Sequence, residues 1–173
     1  MLHRSAHARL LRLAQGFAVV VVTGPRQSGK TTLVRAAFAD LPYCSLEDPD
    51  VRERALADGR GFLAAYPEGA VLDEVQRAPA LLSYLQTVVD APGSQRRWVL
   101  TGSQNLLLSA HVGQSLAGRA GFLELLPLSW HELPLATRRA TSLDDWLLRG
   151  AYPALWQRPV APADWLASYL ASY

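Results

Sequence analysis

Short apolar runs alternate along the chain with segments of mixed apolar and polar residues. The clearest run, residues 18–23, contains four consecutive valines, and a continuous β-branched run is typical of a strand buried on both faces of a parallel sheet. Later apolar runs are shorter and recur along the chain. They predict four more strands, at residues 43–46, 70–72, 98–101 and 121–125.

The segments between these runs have helical spacing, in which apolar residues recur every three to four positions. Alternating strands and helices predict an α/β fold with a mainly parallel, five-stranded sheet that helices cover on both faces. The predicted helices span residues 7–14, 31–39, 49–57, 61–66 and 79–90, with further helical segments up to about residue 116.

The chain reads as helical from Ser129 onward, so we predict a core at residues 1–128 and a helical extension at residues 129–173. In the last segment, positions 165, 166, 169, 170 and 173 form one apolar helical stripe. Neither a C-cap glycine nor a basic last turn closes this helix. We therefore expect the chain to be the N-terminal part of a longer protein.

Composition and charge limit the classes of protein that fit this pattern. Half of the 173 residues are apolar and the formal net charge is +2, which predicts a globular chain rather than a disordered one. The arginines are scattered, so the charge pattern does not support nucleic-acid binding, although it does not exclude it. No apolar stretch reaches the length of a membrane span, and the single cysteine, Cys44, fits a reducing cytoplasm.

Residues 24–31 match the phosphate-loop pattern G-x-x-x-x-G-K-[ST] in full, between a predicted strand and a predicted helix. Glycines let the backbone turn its N–H groups toward a phosphate, and the start of the helix adds its positive dipole end. We predict that Lys30 contacts the β- and γ-phosphates and that the Thr31 hydroxyl binds Mg²⁺. The predicted nucleotide-binding residues are Gly24, Pro25, Arg26, Gln27, Ser28, Gly29, Lys30, Thr31 and Thr32.

Lys30 is the only lysine of the chain, whereas arginine fills the other sixteen of its 17 strongly basic positions. A lysine at this position suits phosphate because its ammonium is a flexible point charge. GTPases of the common switch type read guanine with a motif that needs a second lysine. The sequence therefore favours adenine, with ATP or ADP and Mg²⁺ as the predicted ligands.

A phosphate loop of this kind needs a second strand that ends in a carboxylate, which holds the metal through its water shell. The strand predicted at residues 70–72 ends at Asp73 and Glu74. We predict that Asp73 faces the metal and that Glu74 orients or deprotonates the attacking water. A competing acidic pair, Glu47 and Asp48, precedes a proline and is more typical of the start of a helix.

Two further candidates come from the polar turn after residue 101 and from a glycine-flanked arginine. Ser103 or Gln104 would hydrogen-bond the γ-phosphate or the attacking water, with a plain turn and N-cap as the alternative. Arg119 would stabilise charge on the γ-phosphate, either in cis or from a neighbouring subunit after self-association. A surface or structural arginine is the alternative for Arg119.

Taken together, these motifs make the chain similar to the prokaryotic AAA-type ATPases that carry a C-terminal domain of unknown function. The resemblance covers nearly all of the chain. It implies that Asp73 and Glu74 are the Walker B pair, that Ser103 and Gln104 form a sensor-like turn, and that Arg119 is an arginine finger. It also implies a further domain beyond residue 173. The segments that carry it are residues 21–33, 46–48, 71–79, 100–104, 115–119, 125–129 and 150–153.

Three functions remain open at this point. The first is a Mg²⁺-dependent ATPase. In it Lys30 and Thr31 hold the phosphates and the metal, Asp73 belongs to the metal shell, Glu74 acts on the water, and Arg119 stabilises the transition state. The second is a nucleotide-dependent switch or regulatory module with little turnover. The third is a small-molecule kinase, for which the sequence offers no arginine-rich lid segment.

Overall fold

The structure is a computed structural model that describes residues 2–93, 96–103 and 116–172. Five strands of this part of the chain form one sheet in which every pairing is parallel. The predicted α/β fold is confirmed, and the sheet is wholly parallel rather than mainly so. The strands are β1 (Val19–Thr23), β2 (Tyr43–Ser45), β3 (Gly69–Asp73), β4 (Arg97–Thr101) and β5 (Ala120–Glu124), in the order β2-β3-β4-β1-β5.

Helices cover both faces of the sheet because successive strand residues point to opposite sides. Val20 and Val22 of β1 belong to a core with α1 (Ala6–Gly16) and α2 (Lys30–Ala37). Val19 and Val21 belong to the core on the other face. That core also contains residues of α3 (Pro49–Ala57), α4 (Gly59–Ala64) and α5 (Leu81–Val89).

Short helices follow β5, in agreement with the helical pattern after Ser129. Among the described residues, no helix has both the length and the apolar character that crossing a membrane would require. The further helical segments predicted before residue 116 lie mainly at residues 104–115, outside the described part of the chain. The C-terminal elements are a 3-10 helix (Trp130–Glu132), α6 (Leu135–Ala140), α7 (Leu143–Arg149), α8 (Pro153–Gln157) and α9 (Pro162–Ala171).

The strand register brings the polar strand ends to one edge of the sheet. Thr101 pairs with Val22, Asp73 with Ser45, and Glu124 with Thr23. We call this edge, where the strands end, the carboxyl edge, and the opposite one, where they begin, the amino edge. Ligands of open parallel sheets bind at the carboxyl edge, so we expect the site at this edge.

Candidate functional site

The loop from residue 24 to residue 29 connects β1 to α2 and turns through residues with positive φ. Gly24 has φ 140° and Gly29 has φ 97°, a backbone conformation that residues with a Cβ rarely adopt. A Cβ on Gly24 would also collide with the backbone carbonyl of Leu125, so glycine is required there. The loop ends at the start of α2, whose first N–H groups have no partner within the helix. This is the geometry of an anion cradle.

Lys30 lies inside this loop rather than in solvent. It is only 5% exposed, and its Nζ donates hydrogen bonds to the backbone carbonyls of Gly24, at 3.0 Å, and Pro25, at 2.9 Å. Burial lowers the pKa of Lys30, although the nearby carboxylates of Glu74 and Asp73 act in the opposite direction. The loop therefore holds one buried cation at the point where the cradle opens.

The carboxylate of Asp73 is the centre of a hydrogen-bond network at the end of β3. The Thr31 hydroxyl donates to Asp73 Oδ2 at 2.9 Å, so the structure brings together the two residues predicted to hold the metal. The Tyr43 hydroxyl donates to the same oxygen at 2.6 Å, and the Thr101 hydroxyl donates to Asp73 Oδ1. Burial, together with the bond to Asp73, raises the pKa of Tyr43 to about 12. Asp73 is thus fixed in a buried position by hydroxyls from α2, β2 and β4.

Glu74 follows directly and has the left-handed conformation, with φ 58°. Its N–H donates to the Thr101 hydroxyl oxygen at 3.2 Å, which holds this unusual turn in place. Its carboxylate accepts a hydrogen bond from the side-chain amide of Gln76. The turn separates the two acidic side chains. Asp73 is buried in the network, while Glu74 lines the same cavity as Lys30.

Two adjoining cavities open over the loop. The first, which we call the phosphate cavity, has a volume of about 520 Å³. It is lined by Lys30, Thr31 and Glu74 and, at the end of α8, by Gln157 and Arg158. The second, of about 230 Å³, has mostly apolar walls. It lies between the N-terminal segment and α8, and it shares Gly29, Thr32, Pro153 and Gln157 with the first. The C-terminal helices therefore contribute walls to both cavities.

A family model described as an AAA domain matches residues 16–134 of the chain. The matched range contains the loop, the Asp73 network and Glu74. This chain belongs to the AAA domain family. The family match and the sheet agree with the resemblance stated from the sequence, whereas the further C-terminal domain that the resemblance implies stays a prediction.

Two curated relatives of this AAA domain are uncharacterized proteins of mycobacteria, Rv2008c of Mycobacterium tuberculosis and Mb2031c of Mycobacterium bovis. Each is 35% identical to this chain over 151 residues. The alignment covers 87% of this chain but 33% of each relative. The chain thus spans about a third of the length of the curated relatives that it matches.

Two solved structures resemble the AAA domain in fold. The Walker-type ATPase PABY2304 of Pyrococcus abyssi superposes with a TM-score of 0.58 at 16% identity, over 88% of this chain and 65% of that one. A signal-transduction ATPase with a tetratricopeptide repeat sensor, PH0952 of Pyrococcus horikoshii, gives a TM-score of 0.57 at 16% identity, over 88% and 28%. This chain therefore has the P-loop NTPase fold.

The position of Arg119 in this AAA domain bears on its predicted role. Arg119 immediately precedes β5, whose first residue pairs with Val19, so it lies at the amino edge. Its guanidinium donates to both carboxylate oxygens of Asp90, at 2.6 and 2.8 Å. Arg119 is level with Ala18, six residues before Gly24, so about 20 Å along the sheet separates it from the loop. This placement gives no support to a role in cis at its own phosphate loop, and a role toward a neighbouring subunit stays a prediction.

The other predicted residues are Glu47, Asp48, Ser103 and Gln104. Asp48 caps the start of α3 by accepting a hydrogen bond from the Asp50 N–H at 3.0 Å, as expected of a helix start. Glu47 lines the phosphate cavity and also forms an exposed ion pair with Arg77 at 3.8 Å. Ser103 follows β4 at the carboxyl edge, whereas Gln104 lies outside the described residues.

Sequence reasoning missed Tyr43, Thr101 and Arg158. No local motif marks Tyr43 and Thr101, because their partner, Asp73, lies on another strand. For Tyr43 and Thr101, the register of β2 and β4 against β3 would have indicated that they lie near Asp73. That register can be used only when the strand order is known. Arg158 lies in the C-terminal helical segment, which carries no recognised phosphate-binding pattern.

Proposed function

We propose that this AAA domain binds ATP at the phosphate loop and hydrolyses it with Mg²⁺. The observation that carries the proposal is the 2.9 Å contact between Thr31 Oγ1 and Asp73 Oδ2. It joins the loop to the acidic strand end, with Lys30 buried beside them. A buried cation, an anion cradle and a carboxylate with a hydroxyl at one strand edge suit a nucleoside triphosphate and its metal.

The donor set of Thr31 and Asp73 fits Mg²⁺, which prefers oxygen ligands and keeps much of its water shell. Both oxygens lie at the carboxyl edge next to the cradle, and the Tyr43 and Thr101 hydroxyls hold the carboxylate in place. Bound there, the ion would neutralise charge on the β- and γ-phosphates. Thr31 and Asp73 are the residues that would hold it.

The reaction follows from the positions of the other side chains. The N–H groups of the loop and the Lys30 ammonium would hold the β- and γ-phosphates. Glu74 would accept a proton from a water molecule whose oxygen bonds to the γ-phosphorus. The bond from that phosphorus to the β–γ bridging oxygen then breaks, so that ADP and inorganic phosphate are released.

Arginines can supply the remaining charge. Arg26 and Arg158 both line the phosphate cavity, and no ion pair joins either guanidinium to a described residue. Arg158 would therefore act on the triphosphate in cis, from the end of α8. This is the role that the sequence suggested for Arg119.

The smaller, mostly apolar cavity would hold the base. It adjoins the phosphate cavity through Gly29 and Thr32, so a base there stays connected to phosphates in the cradle. Hydrophobic walls with few polar groups are typical of nucleotide base pockets. Adenine remains the proposed base, for the reason that the chain has no second lysine for a guanine-reading motif.

The decisive test compares Glu74→Gln with Glu47→Gln, since both carboxylates line the phosphate cavity. We expect Glu74→Gln to lower the rate of phosphate release from Mg²⁺-ATP by about 100-fold or more while ADP affinity, measured by calorimetry, is kept. Glu47→Gln should stay near the wild-type rate. Equal rates for wild type and Glu74→Gln would show that Glu74 is not the base.

A nucleotide-dependent switch is the alternative, and the bond from Gln76 to the Glu74 carboxylate favours it. The Gln76 amide ties one oxygen of the Glu74 carboxylate, which restricts the positions from which Glu74 could accept a proton from water. Tight ADP binding without measurable phosphate release in the wild type would support the switch.

A cytoplasmic location and the division into a core at residues 1–128 and an extension at residues 129–173 belong to the same proposal.

A further inference from the structure

Arg4, which precedes α1, reaches the phosphate loop from behind. Its side chain is only 9% exposed. Its Nη1 donates to the backbone carbonyl of Ser28 at 2.6 Å, and its Nη2 donates to the carbonyl of Leu126 at 2.6 Å. One guanidinium therefore joins the N-terminal segment, the phosphate loop and the segment after β5, over sequence separations of 24 and 122 residues.

The bond to Ser28 acts on the peptide group that follows it. A trans peptide is planar, so the carbonyl of Ser28 and the N–H of Gly29 point in opposite directions. Because Arg4 holds the carbonyl on the rear side, the Gly29 N–H is turned away from Arg4. Gly29 lines the phosphate cavity as well as the smaller one, so an N–H turned away from Arg4 can donate to a phosphate there.

The charge of Arg4 adds to this orientation. A hydrogen bond from a cation to a carbonyl is stronger than one between neutral groups. It also polarises the peptide, which makes the N–H at the other end a better donor to an anion. Gly29, with φ 97°, lacks the steric restraint that a Cβ would give, so the hydrogen bond from Arg4 to the Ser28 carbonyl restricts the plane of this peptide.

Glu132 holds Arg4 in this position. Its Oε1 lies 3.2 Å from Arg4 Nε, and its side chain is 5% exposed. The same carboxylate accepts hydrogen bonds from the N–H and the hydroxyl of Ser5, at 2.7 and 2.8 Å, and from the N–H of Ser129, at 2.9 Å. A buried carboxylate with this many donors is fixed, and so is the arginine beside it.

We propose that Arg4 is a positioning residue for phosphate binding, which acts through the Ser28 carbonyl to aim the Gly29 N–H into the cradle. The inference rests on the proposed function, since it requires that the loop bind phosphates. Arg4 does not touch the phosphates itself. It sets the direction and strength of one donor of the cradle, and Glu132 keeps it there.

The experiment compares Arg4→Ala with Arg9→Ala, an exposed arginine of the same N-terminal segment. The affinities for ADP and for inorganic tripolyphosphate are measured by calorimetry, and folding is followed by circular dichroism. Tripolyphosphate has no base, so it reports on the cradle alone. We expect Arg4→Ala to weaken both ligands by at least about tenfold, and Arg9→Ala to leave both within about twofold.

Arg4→Lys provides the second variant, because one ammonium cannot donate along the two directions that the guanidinium serves. We expect it to fold and to show a smaller loss for both ligands. If Arg4→Ala fails to fold, the comparison of Arg4→Lys with Arg9→Lys decides the question in the same way.

Two results would overturn the inference while leaving nucleotide binding intact. One is an Arg4→Ala variant that is less stable but keeps wild-type affinity for tripolyphosphate, which would make Arg4 merely structural. The other is a loss of ADP affinity alone, which would place its effect in the base cavity that Arg4 also lines. Failure of the wild type to bind either ligand would instead overturn the proposed function, and the role of Arg4 with it.

Discussion

Charged residues stand at both edges of the sheet, but their surroundings differ. At the carboxyl edge, Lys30 and Asp73 are 5% and 4% exposed and make hydrogen bonds to loop carbonyls and to hydroxyls. At the amino edge, Arg119 pairs with Asp90 at the surface, where their side chains are 30% and 44% exposed. Arg97 forms a similar exposed pair there, with Asp40.

This difference in exposure distinguishes the candidate site at the carboxyl edge from the solvated surface at the amino edge. Exposed ion pairs contribute little to stability because water and salt screen them. Burying single charges is costly, and proteins keep such charges mainly where a ligand or a reaction needs them. Gln27 and Glu74, the non-glycine residues with positive φ in the described ranges, also lie at the carboxyl edge. Strain and buried charge therefore coincide at the edge where we propose the site.

Replacing the buried cation should have the largest effect. We expect Lys30→Ala to weaken ADP and ATP binding by at least about 100-fold, because the cradle loses its one lysine. Burial lowers the pKa of Lys30, which means that keeping the ammonium charged in the folded protein costs free energy. Without added nucleotide, the unfolding midpoint of Lys30→Ala should therefore not fall below that of the wild type. Calorimetry and thermal unfolding measure the two effects. Unchanged affinity would remove the phosphate site from this edge.

Thr101→Val tests the network around Asp73 at nearly constant side-chain size. The variant loses the hydroxyl that donates to Asp73 Oδ1 and accepts from the Glu74 N–H. We expect the free energy of unfolding, measured with urea, to fall by about 1–3 kcal/mol, and Mg²⁺ to support ATP binding less well. The exposed Thr87→Val is the matched control and should change stability by less than about 0.5 kcal/mol. Equal losses of unfolding free energy in Thr101→Val and Thr87→Val would mean that the Asp73 network adds nothing to stability.

Glu132→Gln tests whether buried charge also matters in the supporting structure behind the loop. Burial acts to raise the pKa of Glu132, but hydrogen bonds from Ser129 and Ser5 and the charge of Arg4 outweigh it, so the pKa is lowered. A carboxyl with a lowered folded pKa stabilises above its unfolded pKa, and this stabilisation is lost as pH falls through the folded pKa.

We therefore expect wild type to be more stable than Glu132→Gln at pH 7, by about 1–3 kcal/mol. The difference should shrink as the pH falls below about 4.5, as followed by urea unfolding at a series of pH values. Asp90→Asn is the control from the amino edge. Arg119 also lowers the pKa of Asp90, but this exposed pair should be weakened by salt. A pH-independent difference for Glu132→Gln would contradict the assignment.

Arg119→Ala should have the smallest effect. Its partner is an exposed carboxylate at the amino edge, so we expect the unfolding midpoint to change by at most about 2 °C. ADP affinity in dilute solution should equal that of the wild type. A loss of turnover that is confined to concentrations at which copies associate would support the predicted role toward a neighbouring subunit. A loss of affinity in the dilute protein would contradict its placement.

Sequence reasoning succeeded where the information is local. The valine run of β1 and the pattern of residues 24–31 are contiguous, and backbone preferences act over just such distances. The start of α3 at Asp48 is local in the same sense. Arg119 shows the limit, since flanking glycines suggested a functional turn, but the pairing of β5 with β1 decided at which edge the arginine lies.

By itself the sequence determined the α/β fold, the phosphate loop with Lys30, and the acidic strand end at Asp73. Only the tertiary structure decided that Tyr43 and Thr101, which lie 30 and 28 residues from Asp73, donate to its carboxylate. It also decided that Arg4 supports the loop from behind. The physical reason is that these contacts depend on strand order and helix packing, which bring together residues that no local pattern relates.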